Sequence, residues 1–409
     1  MPPESALPAG QACAPGSTAA PLAPQDRIEA IDAVRGVALF GVLIVNLVTE
    51  FRVSIFQQLL PGPSGVGSDF MVERVVALGF QSKAFCLFAL LFGVGLAIQF
   101  ERLSAAGRPL YWLARRLAVL LAFGLIHLLF IWNGDILTEY ALAGFAVLPL
   151  VLLPARALLL AALFFLTAYA AAPALYSISW PSAAALRAHV VSANQVYSTG
   201  TLADVWQFSL GELPWLLKLH LGVFLRTLAL FVFGMCLWKA GVLKRARDFR
   251  SEILIAGVTG IALGAVLTGA EAHDALGGLD AAGQALADLA PVLLALGYGA
   301  ALLALAQLPS TRRFLLAFAP LGRMAFTNYV LQSVVLGFIF FGYGLGQFGR
   351  MGAAAAFTLG VALYAAQLVF SGWWLRRYRF GPIEWLWRTL MYGAAQPIGR
   401  AARHADHDG

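Results

Sequence analysis

The chain has 409 residues, of which 60% are hydrophobic and only 12% are charged, and its mean hydropathy is +0.78. A soluble domain carries about 25% charged residues, so this composition excludes an ordinary soluble enzyme and indicates a protein that crosses a membrane several times. The formal net charge of +7 arises from basic residues clustered between apolar stretches, which favours loop asymmetry across a membrane over nucleic-acid binding.

Residues 1–26 are rich in Ala, Pro, Gly and Ser and show no apolar period, so we predict a disordered N-terminal tail. The tail lacks the basic start and the cleavage site of a secretory peptide. We therefore predict that the first apolar stretch is an uncleaved spanning helix.

An all-α membrane bundle is predicted for the rest of the chain, because a helix of roughly 20 apolar residues spans a bilayer. The ten predicted helices are 32–50, 78–100, 113–133, 136–153, 156–172, 217–239, 252–270, 289–309, 323–342 and 352–374. The boundary between the fourth and fifth rests only on Pro154 and Arg156. The predicted units are an N-terminal bundle at 27–172, an extracytoplasmic connection at 173–216, a C-terminal bundle at 217–395 and a tail at 396–409.

Basic residues mark the connections that we predict to face the cytoplasm. They lie between helices two and three, six and seven, and eight and nine, and after helix ten: Arg102, Arg108, Arg115, Arg116, Lys239, Lys244, Arg245, Arg247, Arg250, Arg312, Arg313, Arg323 and the segment RRYRF. The connection between helices seven and eight has four acidic residues and no Lys or Arg: Glu271, Asp274, Asp280 and Asp288. Ten helices with both termini in the cytoplasm satisfy all of these placements.

Polar residues in the outer half of the bundle are the first candidates for a site, because such groups are costly in a bilayer and are functional by default. With a rise of about 1.5 Å per residue, His127 lies roughly 16 Å from the inner arginines of its helix. The stretch IHLLFIWNGDILTEY at 126–140 adds two carboxylates near the same depth. The predicted outer set is Asn46, His127, Asp135, Glu139 and Arg226.

A second set lies in the inner half. Asp32 and Arg35 have the i, i+3 spacing of an ion pair, and Asn328 and Gln332 share one helix face. A structural role is the alternative for every candidate. A polar side chain can simply hydrogen-bond between helices, and Arg226 can extend towards the outer interface.

Five segments resemble one family over nearly the whole chain, from residue 27 to about 395. They are RIEAIDAVRGVALFGVLIVN, KAFCLFALLFGVGLAIQFERLSAAG, RRLAVLLAFGLIHLLFIWNGDILTEYALAG, GRMAFTNYVLQS and FGPIEWLWR. They resemble the YeiB-like family of bacterial inner-membrane proteins, which contain a domain of unknown function numbered 418. The resemblance implies a multi-pass protein of the bacterial cytoplasmic membrane.

The first-helix pattern of Asp32, Arg35, Gly36 and Asn46 is also similar to that of a wider group of transmembrane acyltransferases. That group includes the lysosomal heparan glucosaminide acetyltransferase and bacterial membrane O-acetyltransferases. The resemblance implies a ten-helix bundle that moves an acyl group from cytosolic acyl-CoA to a hydroxyl or amine on the far side. It also implies an intramembrane histidine, for which His127 is the candidate.

We therefore predict a membrane acyltransferase that uses acyl-CoA, such as acetyl-CoA, as donor and needs no metal. His127 would be the general base, with Asp135 or Glu139 as its orienting carboxylate and Asn46 as an oxyanion donor. Residues predicted to hold the donor, where arginines bind its phosphates, are Asp32, Arg35, Arg115, Arg116 and Arg323. Residues predicted to contact the small-molecule or glycan acceptor are Arg226, Asn328 and Gln332.

Two other functions remain open. A permease for a small polar or anionic solute would use Arg226, His127 and Asp135 as a substrate or proton path, although no clear internal repeat supports it. A non-catalytic assembly or signalling protein would need these residues only for structure. Predicted partners are the lipid bilayer and, through Gly-rich faces such as LFGVG, a second copy of the chain. Cys13, Cys86 and Cys236 have no metal or redox spacing.

Overall fold

The computed structural model describes residues 28–60, 66–105, 107–175, 179–273 and 275–399. The predicted N-terminal tail lies outside these residues, as do Cys13, Asp274 and the predicted C-terminal tail beyond residue 399.

The first half of the described chain forms α-helices joined by short connections, and the last helix of this half continues deep into the bundle. They are α1 (Glu29–Asn46), α2 (Ser68–Gly79), α3 (Lys83–Ser104), α4 (Pro109–Phe130), α5 (Leu137–Val147), α6 (Ala155–Leu175), α7 (Ala183–Thr199) and α8 (Leu202–Lys239). A π-helical turn at Leu47–Phe51 extends α1, and a 3₁₀ turn at Leu148–Leu152 extends α5.

The second half of the described chain also consists of α-helices joined by short connections. Its helices are α9 (Arg250–Ala272), α10 (Asp280–Leu305), α11 (Pro309–Leu316), α12 (Ala319–Arg323), α13 (Ala325–Phe340), α14 (Ala353–Arg377) and α15 (Pro382–Tyr392). The described residues include one isolated β-bridge, between Tyr378 and Gly399, and no strand. The predicted all-α bundle is confirmed.

In the described part of the chain, eight helical stretches are long and apolar enough to cross a membrane by length and composition. Two shorter apolar stretches, Leu137–Leu152 and Ala325–Phe340, correspond to the predicted helices 136–153 and 323–342. The first of them belongs to the pair of predicted helices that only Pro154 and Arg156 separate. The protein is therefore a multi-pass membrane protein whose apolar stretches match the predicted ten.

The segment 173–216 contains more helix than the sequence indicated. It includes α7 and the first part of α8, which begins at Leu202 rather than near residue 217. A capping box starts α8, because the Thr201 hydroxyl accepts from the N–H of Asp204 and the Asp204 carboxylate accepts from the N–H of Thr201. Pro214 lies inside the helix without ending it.

Glycines allow the backbones of helices from the two predicted bundles to approach each other closely. A Cβ atom at Gly93 of α3 would lie 2.0 Å from the carbonyl oxygen of Phe231 in α8. A Cβ atom at Gly322 of α12 would lie 1.8 Å from the carbonyl oxygen of Asp32 in α1. Small residues at helix crossings permit such approach in membranes, and here they hold the N-terminal and C-terminal helices together.

The crossing of α3 and α8 can be tested with two glycines of one helix. Gly93→Ala is expected to lower the free energy of unfolding by about 1–3 kcal/mol, because the added methyl group overpacks against fixed backbone. Gly95→Ala is the control, since no atom lies within 4 Å of a Cβ at that position. Thermal unfolding in detergent measures both, and equal midpoints for the two variants would contradict the close crossing.

Candidate functional site

The His127 imidazole and the Asp135 carboxylate form a pair where α4 ends and α5 begins. Nδ1 of His127 lies 2.9 Å from Oδ1 of Asp135, at ion-pair distance but without the alignment of a hydrogen bond. The other carboxylate oxygen accepts a hydrogen bond of 2.7 Å from the backbone N–H of Thr138. Because the first N–H groups of a helix lack partners inside the helix, α5 holds the carboxylate in place.

The pair is sealed from solvent, since His127 and Asp135 are each only 1% exposed. The ring centre of Tyr329 lies 5.2 Å from that of the imidazole, and the ring centre of Trp132 lies 6.3 Å away. No described residue hydrogen-bonds to Nε2 of His127. Buried nitrogens without a partner are rare in folded proteins, so this atom is a candidate for chemistry.

An inner cavity of about 430 Å³ lies at the end of the bundle that carries the basic connections. The arginines that line it come from separate parts of the chain: Arg35, Arg102, Arg116, Arg323, Arg379 and Arg388. The carboxylates that line it are Asp32, Glu101 and Glu384. The arginines exceed these carboxylates in number, so the cavity suits an anionic ligand.

Specific contacts fix several of these charged groups. Arg35 pairs with Asp32 at 2.7 Å, and the Arg116 guanidinium carbon lies 4.1 Å from the centre of the Trp387 ring. Glu384 accepts hydrogen bonds from the N–H groups of Phe326 and Thr327 in the first turn of α13. Burial raises the pKa of the Glu384 carboxyl, while the hydrogen bonds from Thr327 and Phe326 act in the opposite direction.

The deep end of the inner cavity is apolar. Leu39, Val42 and Leu120 line it together with Tyr329, the residue whose ring faces His127. A ligand with a charged head and an apolar tail would therefore place its tail near the buried pair.

An outer cavity of about 250 Å³ contains a second histidine–carboxylate pair. Nδ1 of His220 lies 2.6 Å from Oε2 of Glu139, and the Thr227 hydroxyl donates to Oε1 at 2.6 Å. His220 and Thr227 are seven residues apart on α8 and so share a face. Arg226 and Glu50 also line this cavity.

Only a thin wall separates the two cavities. Ile136 and Tyr140, which follow Asp135 in the chain, line both of them. His127 and Asp135 line neither, because they are packed beside this wall. Residues 134–140 thus contribute to the partition between an arginine-lined inner cavity and a smaller outer cavity.

The predicted site residues divide into several groups. Asp32, Arg35, Arg116 and Arg323 line the inner cavity. Arg115 does not, because it points away from its neighbour Arg116 and donates to the carbonyl oxygen of Leu390 at 3.1 Å. Asn46 is buried at the end of α1 and lines neither cavity, and its Oδ1 has no partner among the described residues.

Two predicted contacts differ in the structure. Glu139 pairs with His220 of α8, so Asp135 is the carboxylate that contacts His127. Asn328 and Gln332 face α14 and line neither cavity. Asn328 donates to the Ser371 hydroxyl at 2.9 Å and Gln332 to Oε1 of Gln367 at 2.8 Å. Such interhelical hydrogen bonds are the structural alternative considered for these two amides.

The sequence prediction missed several residues of the two cavities: Glu50, His220, Thr227, Arg379, Glu384 and Arg388. The spacing of His220 and Thr227 was a signal, since it places both on one helix face. Glu384 and Arg388 lie in a segment whose tryptophans suggested an interfacial helix instead. No sequence pattern links these positions to their partners across the bundle.

No group of three or more His, Cys, Asp or Glu in the described ranges has the arrangement to hold a metal ion. Cys86 and Cys236 are buried free thiols. The described residues also form three histidine–carboxylate pairs, His127–Asp135, His220–Glu139 and His189–Glu212. The first two lie at or beside the residues that separate the two cavities.

Double-mutant cycles can test this pairing. Removing either partner of a contacting pair changes the effect of removing the other, and such couplings are about 0.5–3 kcal/mol. We expect coupling in this range for His127→Gln with Asp135→Asn, and for His220→Gln with Glu139→Gln. The cross pair, His127→Gln with Glu139→Gln, is the control and should be additive within about 0.5 kcal/mol. Unfolding midpoints in detergent provide the data. A coupling between His127→Gln and Glu139→Gln above about 0.5 kcal/mol would contradict the pairing.

Comparison with known proteins identifies relatives over the whole chain. The family described as "Protein of unknown function (DUF418)" matches residues 237–394. The uncharacterized protein YxaH of Bacillus subtilis (strain 168) is 32% identical, over 95% of this chain and 100% of its own length. The uncharacterized protein YeiB of Escherichia coli (strain K12) is 31% identical, over 92% of this chain and 100% of its own length.

No solved structure is significantly similar to the chain. The full-length relatives and the family match bear out the resemblance seen in the five segments. The protein is a multi-pass membrane protein that belongs to the DUF418 family, together with YxaH and YeiB.

Proposed function

We propose that this protein transfers an acyl group from cytosolic acyl-CoA to a hydroxyl or amine acceptor on the other side of a bacterial cytoplasmic membrane. The observation that carries the proposal is the placement of a buried histidine–carboxylate pair beside the wall between two cavities. One cavity carries the arginines expected for a phosphorylated donor, and the other has polar groups suited to an acceptor.

The inner cavity supports the donor assignment. Arginine binds phosphate through charge-assisted, often bidentate hydrogen bonds, and several arginines line the cavity from different helices. The apolar deep end suits the acyl chain and its linker to the thioester. Because the basic connections lie at this end, the positive-inside rule places the cavity on the cytoplasmic side.

The His127–Asp135 pair supplies a base at the position where donor and acceptor meet. In the proposed reaction the acceptor oxygen or nitrogen bonds to the thioester carbonyl carbon, and the carbon–sulfur bond breaks. Nε2 of His127 takes the proton from the acceptor and passes it to the departing CoA sulfur. Asp135 holds Nδ1 and stabilises the imidazolium between these two steps.

Access to His127 requires a side-chain movement. The imidazole is 1% exposed, and the Tyr329 ring stands between it and the inner cavity. In this proposal the Tyr329 ring moves aside when the donor fills the apolar end. A donor that fills the apolar end would also exclude water from its thioester.

A permease is the second candidate, because two cavities on opposite sides of a thin wall also suit alternating access to a solute. Arg226, which lines the outer cavity, would then bind an anionic solute. The two functions differ in one requirement, since only the acyltransferase needs acyl-CoA.

Neighbouring arginines of α4 test the donor site. Arg116→Gln should raise the dissociation constant of acetyl-CoA about tenfold, because it removes a charge-assisted hydrogen bond. Arg35→Gln should have a similar effect without disturbing the Trp387 contact. Arg115→Gln is the control and should bind as the wild type does, since Arg115 lies outside the cavity.

Isothermal titration calorimetry on detergent-purified protein measures these constants. If folded wild-type protein binds neither acetyl-CoA nor longer acyl-CoAs, the donor site is refuted and the permease becomes the better candidate.

The role of His127 as general base is tested by the rate of acyl transfer. His127→Gln should lower acyl transfer about 10²–10⁴-fold while leaving acetyl-CoA binding intact, because a general base contributes in this range. The measurement is incorporation of radiolabelled acetyl groups from acetyl-CoA into membranes that contain the protein. His273→Gln, in the exposed connection after α9, is the matched control. A His127→Gln variant as active as wild type would show that the histidine is structural.

A further inference from the structure

We propose that the outer cavity binds a small zwitterion, with Arg226 holding its anionic group and Glu50 its ammonium group. The inference deepens the proposed function by naming a class of acceptor. It rests on that function only for the role of the ligand, because binding itself needs no acyl donor.

Arg226 is a buried cation that faces this cavity without an acidic partner. It is 8% exposed, and its guanidinium carbon lies 5.8 Å from the centre of the Tyr169 ring. No carboxylate oxygen of the described residues lies within 4 Å of it, as the ion pairs of the structure show. The Tyr169 side chain hydrogen-bonds to Arg226 and presents its ring to it, but a neutral side chain compensates a buried cation only in part. The site therefore favours an anion from outside the chain.

Glu139 does not contact Arg226 directly. Its Oε2 is engaged by His220 and its Oε1 by the Thr227 hydroxyl, so both oxygens already have partners. A carboxylate or phosphate of a ligand would be the anion in direct contact with Arg226.

Glu50 is the complementary group in the same cavity. Its carboxylate has no Lys, Arg or His nitrogen within 4 Å among the described residues. It lies near the wall, because a Cβ atom at Gly134 would be 2.7 Å from its Oε2. Glu50 and Arg226 therefore line one cavity as a carboxyl and a guanidinium group that do not contact each other. An ammonium group next to Glu50 would favour the ionised form of this carboxyl.

A guanidinium and a carboxyl group held apart in one cavity are the complement of a zwitterion, whose ammonium group would stabilise the ionised carboxyl. A ligand that carries only an anion would leave Glu50 unpaired, and a ligand that carries only an amine would leave Arg226 unpaired. His220, whose side chain is 31% exposed, also lines the cavity. The shared chemistry of a free amino compound and a lipid headgroup, an anion linked to an ammonium, fits the cavity volume of about 250 Å³.

The test is calorimetric binding of three probes to detergent-purified protein: phosphoethanolamine, glycerol 3-phosphate and ethanolamine. Phosphoethanolamine should bind at least about tenfold more tightly than either of the others, because only it engages both charges. Arg226→Gln should abolish the preference for phosphoethanolamine over ethanolamine. Glu50→Gln should abolish the preference for phosphoethanolamine over glycerol 3-phosphate. Arg247→Gln, an exposed arginine of the connection between α8 and α9, is the control and should change nothing.

The source of the zwitterion is distinguished by competition with nanodiscs that contain phosphatidylethanolamine. Loss of phosphoethanolamine binding in these nanodiscs, but not in phosphatidylglycerol nanodiscs, identifies a lipid headgroup, and retained binding in both identifies a soluble ligand. Equal affinity for the three probes, or phosphoethanolamine binding that neither variant weakens, overturns the proposal. If Arg226→Gln fails to fold, Glu50→Gln still tests it. Acetyl-CoA binding at the inner cavity is measured separately, so the two proposals can fail independently.

Discussion

An ionised side chain inside an apolar bundle is unstable unless another group compensates its charge, and the interior of this protein is organised by that constraint. The Asp135 carboxylate is held by both the imidazole of His127 and the first turn of α5. The Glu139 carboxylate, one turn later, is held by two residues of α8. These contacts tie α4, α5 and α8 together at the level where the two cavities approach each other, so the wall between the cavities depends on them.

The surrounding helices support this wall from both sides. On the outer side, Asn133 of the α4–α5 connection donates to Glu212 of α8 at 2.9 Å, and Glu212 also contacts His189 of α7 at 2.7 Å. On the inner side, Glu384 of α15 accepts from the start of α13, the helix that carries Tyr329. The partition is therefore fixed by polar contacts from helices that are distant in sequence, while glycine crossings bring those helices close enough.

The inner and outer cavities differ in the charged groups that line them, and the proposed function gives the two cavities different roles. The inner cavity concentrates arginines and has an apolar deep end, as a phosphorylated donor with an acyl chain requires. The outer cavity holds one arginine and one carboxylate apart from each other, with a histidine–carboxylate pair beside them. A group that crossed between them would pass next to His127, the buried base candidate.

The sequence by itself determined the membrane class, the approximate positions of the ten apolar stretches and the family, and it singled out His127 and Asp135 as candidates for a site. The family follows from the resemblance of five segments. The other features follow from hydropathy and from local spacing, which a single chain displays directly. Only the tertiary structure decided that Glu139 pairs with His220, that Arg115 lies outside the inner cavity while Arg116 lines it, and that Asn328 and Gln332 bind α14. The physical reason is that a contact between helices depends on their rotation and crossing, and packing across the whole bundle sets both.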